Sequence, residues 1–178
     1  MQEYEIKFLE IDTEALIHTL EQIGAKWRYD SIIEANFFID EKGNKVRLRK
    51  SEHENTLTYK IRSQQSWILH NDEYEVTFSD YPTMCRLFLA LGFVRYGYSR
   101  KRRIEYEHLW VHYEIDTYDD IPSYLEIEAE SPSDLRNAVE RIGFDFDHGV
   151  AINERELRAR YGKIPDDLPP LDLGPHIS

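Results

Sequence analysis

Charged and bulky side chains alternate in the opening stretch EYEIKF. Glu3, Glu5 and Lys7 occupy every second position, with a tyrosine, an isoleucine and a phenylalanine between and after them. Successive side chains of a β-strand point to opposite faces, so a strand here separates the charged residues from the apolar ones. Carboxylates gathered on one face can bind a divalent cation, and cationic groups beside them can bind phosphate.

The same alternation recurs along the chain and predicts eight strands. They cover residues 3–9, 32–40, 45–50, 56–62, 73–78, 94–106, 110–117 and 125–130. One face of these strands is charged and the other is apolar. The acidic positions are Glu3, Glu5, Glu73, Glu75, Asp116, Glu126 and Glu128, and the basic positions are Lys7, Arg47, Arg49, Lys60, Arg62, Lys101 and Arg103. Like charges two residues apart repel, so a multivalent anion and divalent cations would relieve this grouping.

An amphipathic antiparallel sheet with one solvated face also gives such alternation. A flat sheet spreads its charged faces apart, whereas a closed sheet brings them into one interior. Eight strands can close into a barrel whose interior holds a small ligand. We therefore predict an α+β fold with an eight-stranded antiparallel β-barrel, closed or nearly closed, a charged interior, and helices packed on the apolar exterior.

Four segments have helical periodicity and capping residues. They are DTEALIHTLEQIGA, PTMCRLFLALG, SPSDLRNAVERIG and NERELRARYG. No repeat or linker divides residues 1–162, which we predict to form one domain. Residues 163–178 are rich in proline and are predicted to form a C-terminal tail.

Composition excludes several classes of protein. The net charge of −12 over 178 residues argues against a nucleic-acid-binding protein. The single cysteine, Cys85, excludes an internal disulfide, and we expect it to pack in a helix. No apolar run has the length of a membrane span and the acidic N-terminus lacks the features of a secretory signal, so we expect a cytoplasmic protein without a membrane partner. The stretch HLWVH places His108 near His112, but no third ligand accompanies them, and ordinary strand or turn histidines are expected.

Several strand motifs together resemble one known family. EYEIKF resembles the ExExK signature of the CYTH superfamily, also called triphosphate tunnel metalloenzymes. VRLRK, LTYKIR, EYEVTF, RKRRIEY and EIDTYDDIPSYLEIEAE resemble, in the same order, the paired-arginine strand, the lysine strand, the second acidic strand, the basic strand, and the Asp strand that leads into the last ExE strand. The resemblance covers residues 3–130, and the order of the motifs is more specific than any one of them.

The resemblance implies a tunnel barrel that binds a triphosphate and one or two Mg²⁺ or Mn²⁺ ions. The implied triphosphate-binding residues are Lys7, Arg47, Arg49, Lys60, Arg62, Lys101 and Arg103. The implied metal ligands are Glu3, Glu5, Asp116, Glu126 and Glu128, and the implied catalytic residues are Glu5, Lys60 and Asp116. Glu73 and Glu75 are expected to orient basic residues. Carboxylate oxygens suit these two ions.

The family includes class IV adenylyl cyclases, thiamine triphosphatases and inorganic triphosphatases. We predict a metal-dependent phosphohydrolase acting on inorganic triphosphate, thiamine triphosphate or a nucleoside triphosphate. An adenylyl cyclase and a non-catalytic polyphosphate- or nucleotide-binding module are the alternatives. Class IV cyclases tend to carry residues ahead of ExExK and a Ser-Tyr-x-x-Leu-Leu-like stretch near the end, whereas this chain has INEREL at 152–157. That difference favours hydrolysis, while the sequence leaves a homodimer open.

Overall fold

The computed structural model describes residues 2–62, 69–163 and 168–174, without the side chains of residues 2, 60–62 and 69–73. The strands are β1 (Gln2–Leu9), β2 (Lys26–Ile39), β3 (Lys45–Lys50), β4 (Asn55–Arg62), β5 (Leu69–Phe78), β6 (Val94–His108), β7 (Val111–Thr117) and β8 (Tyr124–Ala129). The α-helices are α1 (Thr13–Gln22), α2 (Tyr81–Ala90), α3 (Pro132–Arg141) and α4 (Glu154–Arg160), and a 3₁₀ turn covers Phe146–His148.

Hydrogen bonds join the strands in the order β1-β5-β4-β3-β2-β6-β7-β8, which closes on itself as a barrel. The predicted α+β fold with an eight-stranded barrel is therefore confirmed. β2 begins six residues earlier than predicted, and its first part, KWRYDS, is mostly exposed and contains no aliphatic residue to mark a core-facing side. β5 likewise begins before its predicted start.

Each predicted helix is present, and each begins after a side chain that caps it. Asp12, Asp80, Ser131 and Asn153 accept a hydrogen bond from a backbone amide in the first turn of α1, α2, α3 and α4, respectively. Such bonds satisfy amides that have no partner within the helix. Among the described helices, none combines the length and the apolar character that crossing a bilayer requires.

The chain forms two compact units. The first contains Met1–Ser31, Ile61–Asp72 and Lys101–Ile164, and the second contains Ile32–Lys60, Glu73–Arg100 and Pro165–Ser178. The prediction of one domain that ends at residue 162 stays a prediction.

In the first unit, helices cover the apolar faces of β1, β6, β7 and β8. Ile6 of β1 and Ile115 and Ile127 of β7 and β8 belong to one buried cluster with Leu20 of α1 and Leu135 of α3. Because side chains alternate along a strand, burial of these residues turns the charged positions of the same strands to the opposite face. The core therefore fixes the direction of the charged side chains.

A short segment after the 3₁₀ turn forms an antiparallel β-bridge with β1, between Val150 and Lys7. The backbone amide and carbonyl of Lys7 bond to the carbonyl and amide of Val150, at 3.0 and 2.8 Å. A β-carbon at Gly149 would overlap the end of the buried Ile6 side chain, so a larger residue there would require Ile6 to shift. The contact fixes the backbone that carries Lys7.

In the second unit, α2 and the C-terminal segment cover β2 and β3. Phe38, Leu48 and Cys85 are fully buried in one cluster, against which Leu171 and Leu173 pack. The prediction that Cys85 packs in a helix is confirmed. Arg86 donates to the carbonyl oxygen of Leu173, which ties the tail to α2.

The apolar exterior is not covered throughout the second unit. Tyr74 and Val76 of β5 are 64% and 58% exposed. The predicted packing of helices on the apolar exterior is confirmed in the buried clusters, and it leaves these two residues of β5 exposed. The cause is the placement of α2, whose buried side chains Tyr81, Cys85 and Phe88 cluster with β2 and β3.

Candidate metal and phosphate site

The charged face of the first unit is arranged in three rows across β1, β8, β7 and β6. Residues paired across neighbouring antiparallel strands have their side chains on the same face. The Asp116 row contains Leu9, Tyr124, Asp116 and Arg103; the Glu114 row contains Lys7, Glu126, Glu114 and Glu105; and the His112 row contains Glu5, Glu128, His112 and Glu107. Successive rows are two residues apart along each strand, or about 6.8 Å.

Three carboxylates converge where the Glu114 and His112 rows meet. Each of Glu5, Glu126 and Glu128 offers an oxygen, and these oxygens lie within 4.8 Å of one another. Lys7 Nζ lies 3.1 Å from Glu5 Oε1 and 3.0 Å from Glu126 Oε1. Three carboxylates with one ammonium leave net negative charge, and hard oxygen donors suit Mg²⁺ or Mn²⁺. These residues therefore fit a divalent cation.

A second acidic group shares Glu126 with the first. Oxygens of Glu114, Asp116 and Glu126 also lie within 4.8 Å of one another. Here Arg103 donates to both oxygens of Asp116, with Nε–Oδ1 and Nη2–Oδ2 distances of 2.8 Å, and it also pairs with Glu114. Lys101 Nζ lies 2.6 Å from Asp116 Oδ2. Cationic side chains already neutralise much of this group, so it suits a metal less well than the first.

Burial and neighbouring charges shift the pKa values of Glu126 and Glu114 in opposite directions. Burial alone would raise the pKa of Glu126, but the charges of Lys7, Lys101 and Arg103 hold it well below its ordinary value. Burial raises the pKa of Glu114 well above its ordinary value, although the charge of Arg103 opposes this, and repulsion from the carboxylates of Glu128, Glu126 and Asp116 adds to the rise. A carboxyl group that retains its proton is a poor metal ligand, whereas Glu126 is held in the ligating form.

Glu105, in the Glu114 row, forms hydrogen bonds with two side chains. His112 Nδ1 lies 2.9 Å from Glu105 Oε1, and Tyr29 also hydrogen-bonds to Glu105. Burial alone would raise the pKa of Glu105, but these two bonds lower it, and the bond from Glu105 raises the pKa of His112. Glu105 is therefore an ionised acceptor that orients His112 and Tyr29.

Two further residues that were predicted to bind the triphosphate, Arg47 and Arg49, lie in the second unit. Arg47 Nη2 lies 3.2 Å from Thr58 Oγ1 and 3.9 Å from Glu75 Oε2, and the Thr58 hydroxyl donates to Glu75 at 2.6 Å. Arg49 lies on the same face of β3 as Arg47 and is partly exposed. Glu75 therefore contacts one of these cations, and its orienting role stays a prediction.

The predicted site residues divide into three groups. The structure brings Glu5, Lys7, Lys101, Arg103, Asp116, Glu126 and Glu128 together on the charged face of the first unit, and Glu3 follows on the same face of β1. Arg47 and Arg49 lie in the second unit. The side chains of Lys60, Arg62 and Glu73 lie outside the described residues, so their roles, like the catalytic role assigned to Asp116, stay predictions.

The sequence did not identify Glu105, Glu114, His112 or Tyr29 as site residues. Glu105 and Glu114 continue the alternation of Arg103 and Asp116, so the period of two could have identified both. His112 was expected to be an ordinary histidine, although it also continues that period. Tyr29 lies in the part of β2 that the sequence pattern did not reveal.

Solved structures similar to this one share its fold at low sequence identity. The Pyrococcus horikoshii OT3 protein PH1012 is 24% identical, with a TM-score of 0.73, over 87% of this chain and 98% of that one. HpAC1 from Hippeastrum, a candidate adenylyl cyclase described as having a dominant triphosphatase activity, is 16% identical, with a TM-score of 0.61, over 92% and 98%. A chain of the Schizosaccharomyces pombe Mediator head module is 9% identical, with a TM-score of 0.63, over 80% and 95%. A search of curated proteins gives no match.

The family model described as the CYTH domain matches residues 1–158, which include all eight strands and most of α4. The match agrees with the resemblance found in the strand motifs and with the closed order of the strands. This chain belongs to the CYTH domain family.

Proposed function

We propose that this protein is a divalent-metal-dependent hydrolase of a triphosphate-containing substrate. One observation supports this above all: Glu5, Glu126 and Glu128 converge on one buried face beside cationic side chains of the same unit. Carboxylates that bind a metal and cations that bind phosphate are the two requirements for catalysis of phosphoryl transfer, which depends mostly on positioning and charge neutralisation.

The metal ligands in this proposal are Glu5, Glu126 and Glu128. A divalent cation bound by them would neutralise charge on the phosphate oxygens as it develops in the transition state. Glu126 has the central part because it belongs to both acidic groups and lies near Lys7 and Arg103. Hydrogen bonds and ion pairs already orient these side chains, so little reorganisation is needed when a substrate binds.

The cations of the unit would hold the phosphates. Lys7, Lys101 and Arg103 are each less than 9% exposed, so water screens their charge weakly. Asp116 accepts from both Lys101 and Arg103. We assign it the role of fixing these two cations, and we infer that Glu114, with its raised pKa, contributes no ligand oxygen to the metal.

The fold alone does not determine which of the family's activities this chain has. It occurs in HpAC1, described as having triphosphatase activity, and also in the Mediator head module. The choice of hydrolysis over cyclisation follows from INEREL at 152–157, where a cyclase would carry a Ser-Tyr-x-x-Leu-Leu-like stretch. In the structure these residues lead into α4 and form its first turns.

We expect the purified protein to release phosphate from tripolyphosphate, thiamine triphosphate or a nucleoside triphosphate only with Mg²⁺ or Mn²⁺ present. Removal of the ion with a chelator should lower turnover to the uncatalysed level, and added Mn²⁺ should restore it. The measurement is a panel of these substrates assayed in parallel for phosphate, pyrophosphate and cyclic nucleotide.

Other outcomes of the same panel would overturn the proposal. Pyrophosphate and cyclic AMP from ATP would identify a cyclase. Tight binding of tripolyphosphate without turnover, seen as a rise in Tm with ligand concentration, would identify a binding module. Turnover that a chelator leaves intact would exclude the metal.

A further inference from the structure

The C-terminal segment, residues 168–174, packs on the second unit without forming a helix or a strand. Leu171 and Leu173 are partly buried against the apolar cluster that contains Val46 and Leu48 of β3, and the residue between the two leucines is exposed. This alternation is that of an extended chain with one face on the core. The segment therefore covers part of the outer, apolar face of the second unit.

Two arginines hold the backbone of the C-terminal segment. Arg86 of α2 donates to the carbonyl oxygen of Leu173, and Arg95 of β6 donates to the carbonyl oxygen of Pro169. Hydrogen bonds with a charged donor are stronger than those between neutral groups. The bonds lie near the two ends of the segment, so they fix its path across the unit.

The carboxylate of Asp172 links the C-terminal segment to β3. Its Oδ2 lies 3.1 Å from Nζ of Lys50, the last residue of β3, and its Oδ1 accepts a hydrogen bond from the amide of Gly174 at 3.1 Å. Gly174 has a φ of +64°, and a β-carbon there would lie 3.0 Å from the side chain of Pro82 in the first turn of α2. Glycine adopts this conformation without strain and allows the close approach.

The opposite face of β3 carries the two arginines that were predicted to bind the triphosphate. Val46, Leu48 and Lys50 alternate with Arg47 and Arg49 along KVRLRK. Since side chains alternate between the two faces of a strand, the C-terminal segment contacts β3 on the face opposite to both guanidinium groups. The segment can therefore affect the arginines only through the backbone of β3.

Contacts on both sides of Arg49 hold that backbone. The Tyr81 hydroxyl donates to the carbonyl oxygen of Leu48 at 3.2 Å. On the other side, Lys50 Nζ pairs with Asp172 and lies 5.7 Å from the centroid of the Tyr81 ring, a cation–π contact. The helix and the C-terminal segment together hold the residues before and after Arg49.

We propose that the C-terminal segment positions Arg47 and Arg49 for phosphate binding, and so raises the affinity for triphosphate from the outer face of β3. Leu171, Asp172 and Leu173 are positioning residues in this role. The inference rests on the proposed function and on the predicted role of the two arginines, and it adds a determinant of substrate affinity outside the charged face.

The test replaces both leucines with serine in the full-length chain, Leu171→Ser with Leu173→Ser. The calorimetric Kd for tripolyphosphate should rise about tenfold, because arginines on a less constrained strand lose more conformational freedom when they bind. The Kd for Mn²⁺ should stay as in the wild type, since Glu5, Glu126 and Glu128 lie in the first unit. KM should rise with little change in kcat, and circular dichroism should show a folded protein at the temperature of the assay.

Leu168→Ser is the matched control, because Leu168 belongs to the same segment and is 39% exposed. It should leave the Kd for tripolyphosphate unchanged. In a chain with Arg47→Ala and Arg49→Ala, the double serine substitution should raise this Kd no further, because the segment acts through these arginines. Equal rises with and without the arginines would overturn the inference, since they would reflect only a general loss of stability.

Asp172→Ala provides a milder variant in case the double serine variant does not fold. It removes the link to Lys50 and keeps both leucines, and it should raise the Kd for tripolyphosphate by about threefold. An unchanged Kd in a folded double serine variant would overturn the inference. If that variant does not fold, an unchanged Kd in Asp172→Ala would overturn it.

Turnover and binding separate failure of this inference from failure of the proposed function. If the wild type binds tripolyphosphate with Mn²⁺ but does not hydrolyse it, the proposed function is wrong, and a Kd that rises in the double serine variant still supports the inference. If the wild type hydrolyses tripolyphosphate and the variant keeps the wild-type Kd, the proposed function stands and the inference is overturned. A wild type that binds no tripolyphosphate would overturn both.

Discussion

Replacing Glu126 with glutamine is expected to lower kcat by about 10²- to 10³-fold at saturating Mn²⁺. Glu126 is the carboxylate common to both acidic groups, and its low pKa keeps it ionised. Glutamine keeps the shape of the side chain but removes the charge that attracts a divalent cation. The same variant should bind Mn²⁺ more weakly, which calorimetry measures independently of turnover.

Glu130→Gln is the matched control, since Glu130 is exposed and lies one residue beyond β8. It should retain wild-type turnover and Mn²⁺ affinity. If Glu126→Gln does not fold, Glu128→Gln offers a second test, because Glu128 is less buried and belongs to the same ligand set. Wild-type kcat and Mn²⁺ affinity in a folded Glu126 or Glu128 variant would refute the assigned metal ligands.

Replacing Arg103 with methionine is expected to lower the free energy of unfolding by about 3–5 kcal/mol. Arg103 is 2% exposed and is the shared partner of Asp116, Glu114 and Glu126. Methionine fills a similar volume but leaves these buried carboxyl groups without their central cation. Urea-induced unfolding followed by circular dichroism measures the difference.

The neighbouring residue Arg102 provides the control. It also forms a two-pronged pair, with Nε and Nη2 at 2.8 and 2.6 Å from the two oxygens of Asp30, but that pair is exposed. Arg102→Met should lower the free energy of unfolding by at most about 1 kcal/mol. Adding Asp116→Asn to Arg103→Met should recover part of the loss, since it removes one stranded charge. Equal effects of the two arginine substitutions would show that the Arg103 network has no special structural role.

The sequence predicts this fold because one signal is repeated. In β1, β7 and β8 a period of two places charged residues on one face and aliphatic residues on the other. Burial of Ile6, Ile115 and Ile127 confirms that the aliphatic face of each strand points to the core. The helices were predictable because each has a capping side chain where its apolar stripe begins. The start of β2 was not predicted, because its first residues are mostly exposed and include no aliphatic side chain that would mark a core-facing side.

The partners of each charged residue could not be predicted in the same way. The ion pair of Lys7 with Glu126 depends on the register between β1 and β8, which are more than a hundred residues apart in the chain. Lys7 and Arg103 were both expected to bind phosphate, and the strand pattern does not indicate that three carboxyl groups hold Arg103. Glu105 and Glu114 followed the pattern, but their different pKa shifts arise from neighbours that only the folded chain supplies.

The most direct test of the metal site is the anomalous scattering of Mn²⁺ in crystals of the full-length chain grown with tripolyphosphate. The proposal predicts a strong peak about 2.1 Å from carboxylate oxygens of Glu5, Glu126 and Glu128, with phosphate density beside Lys7 and Arg103. Manganese bound only at exposed carboxylates, with no peak among these three residues, would contradict the central claim.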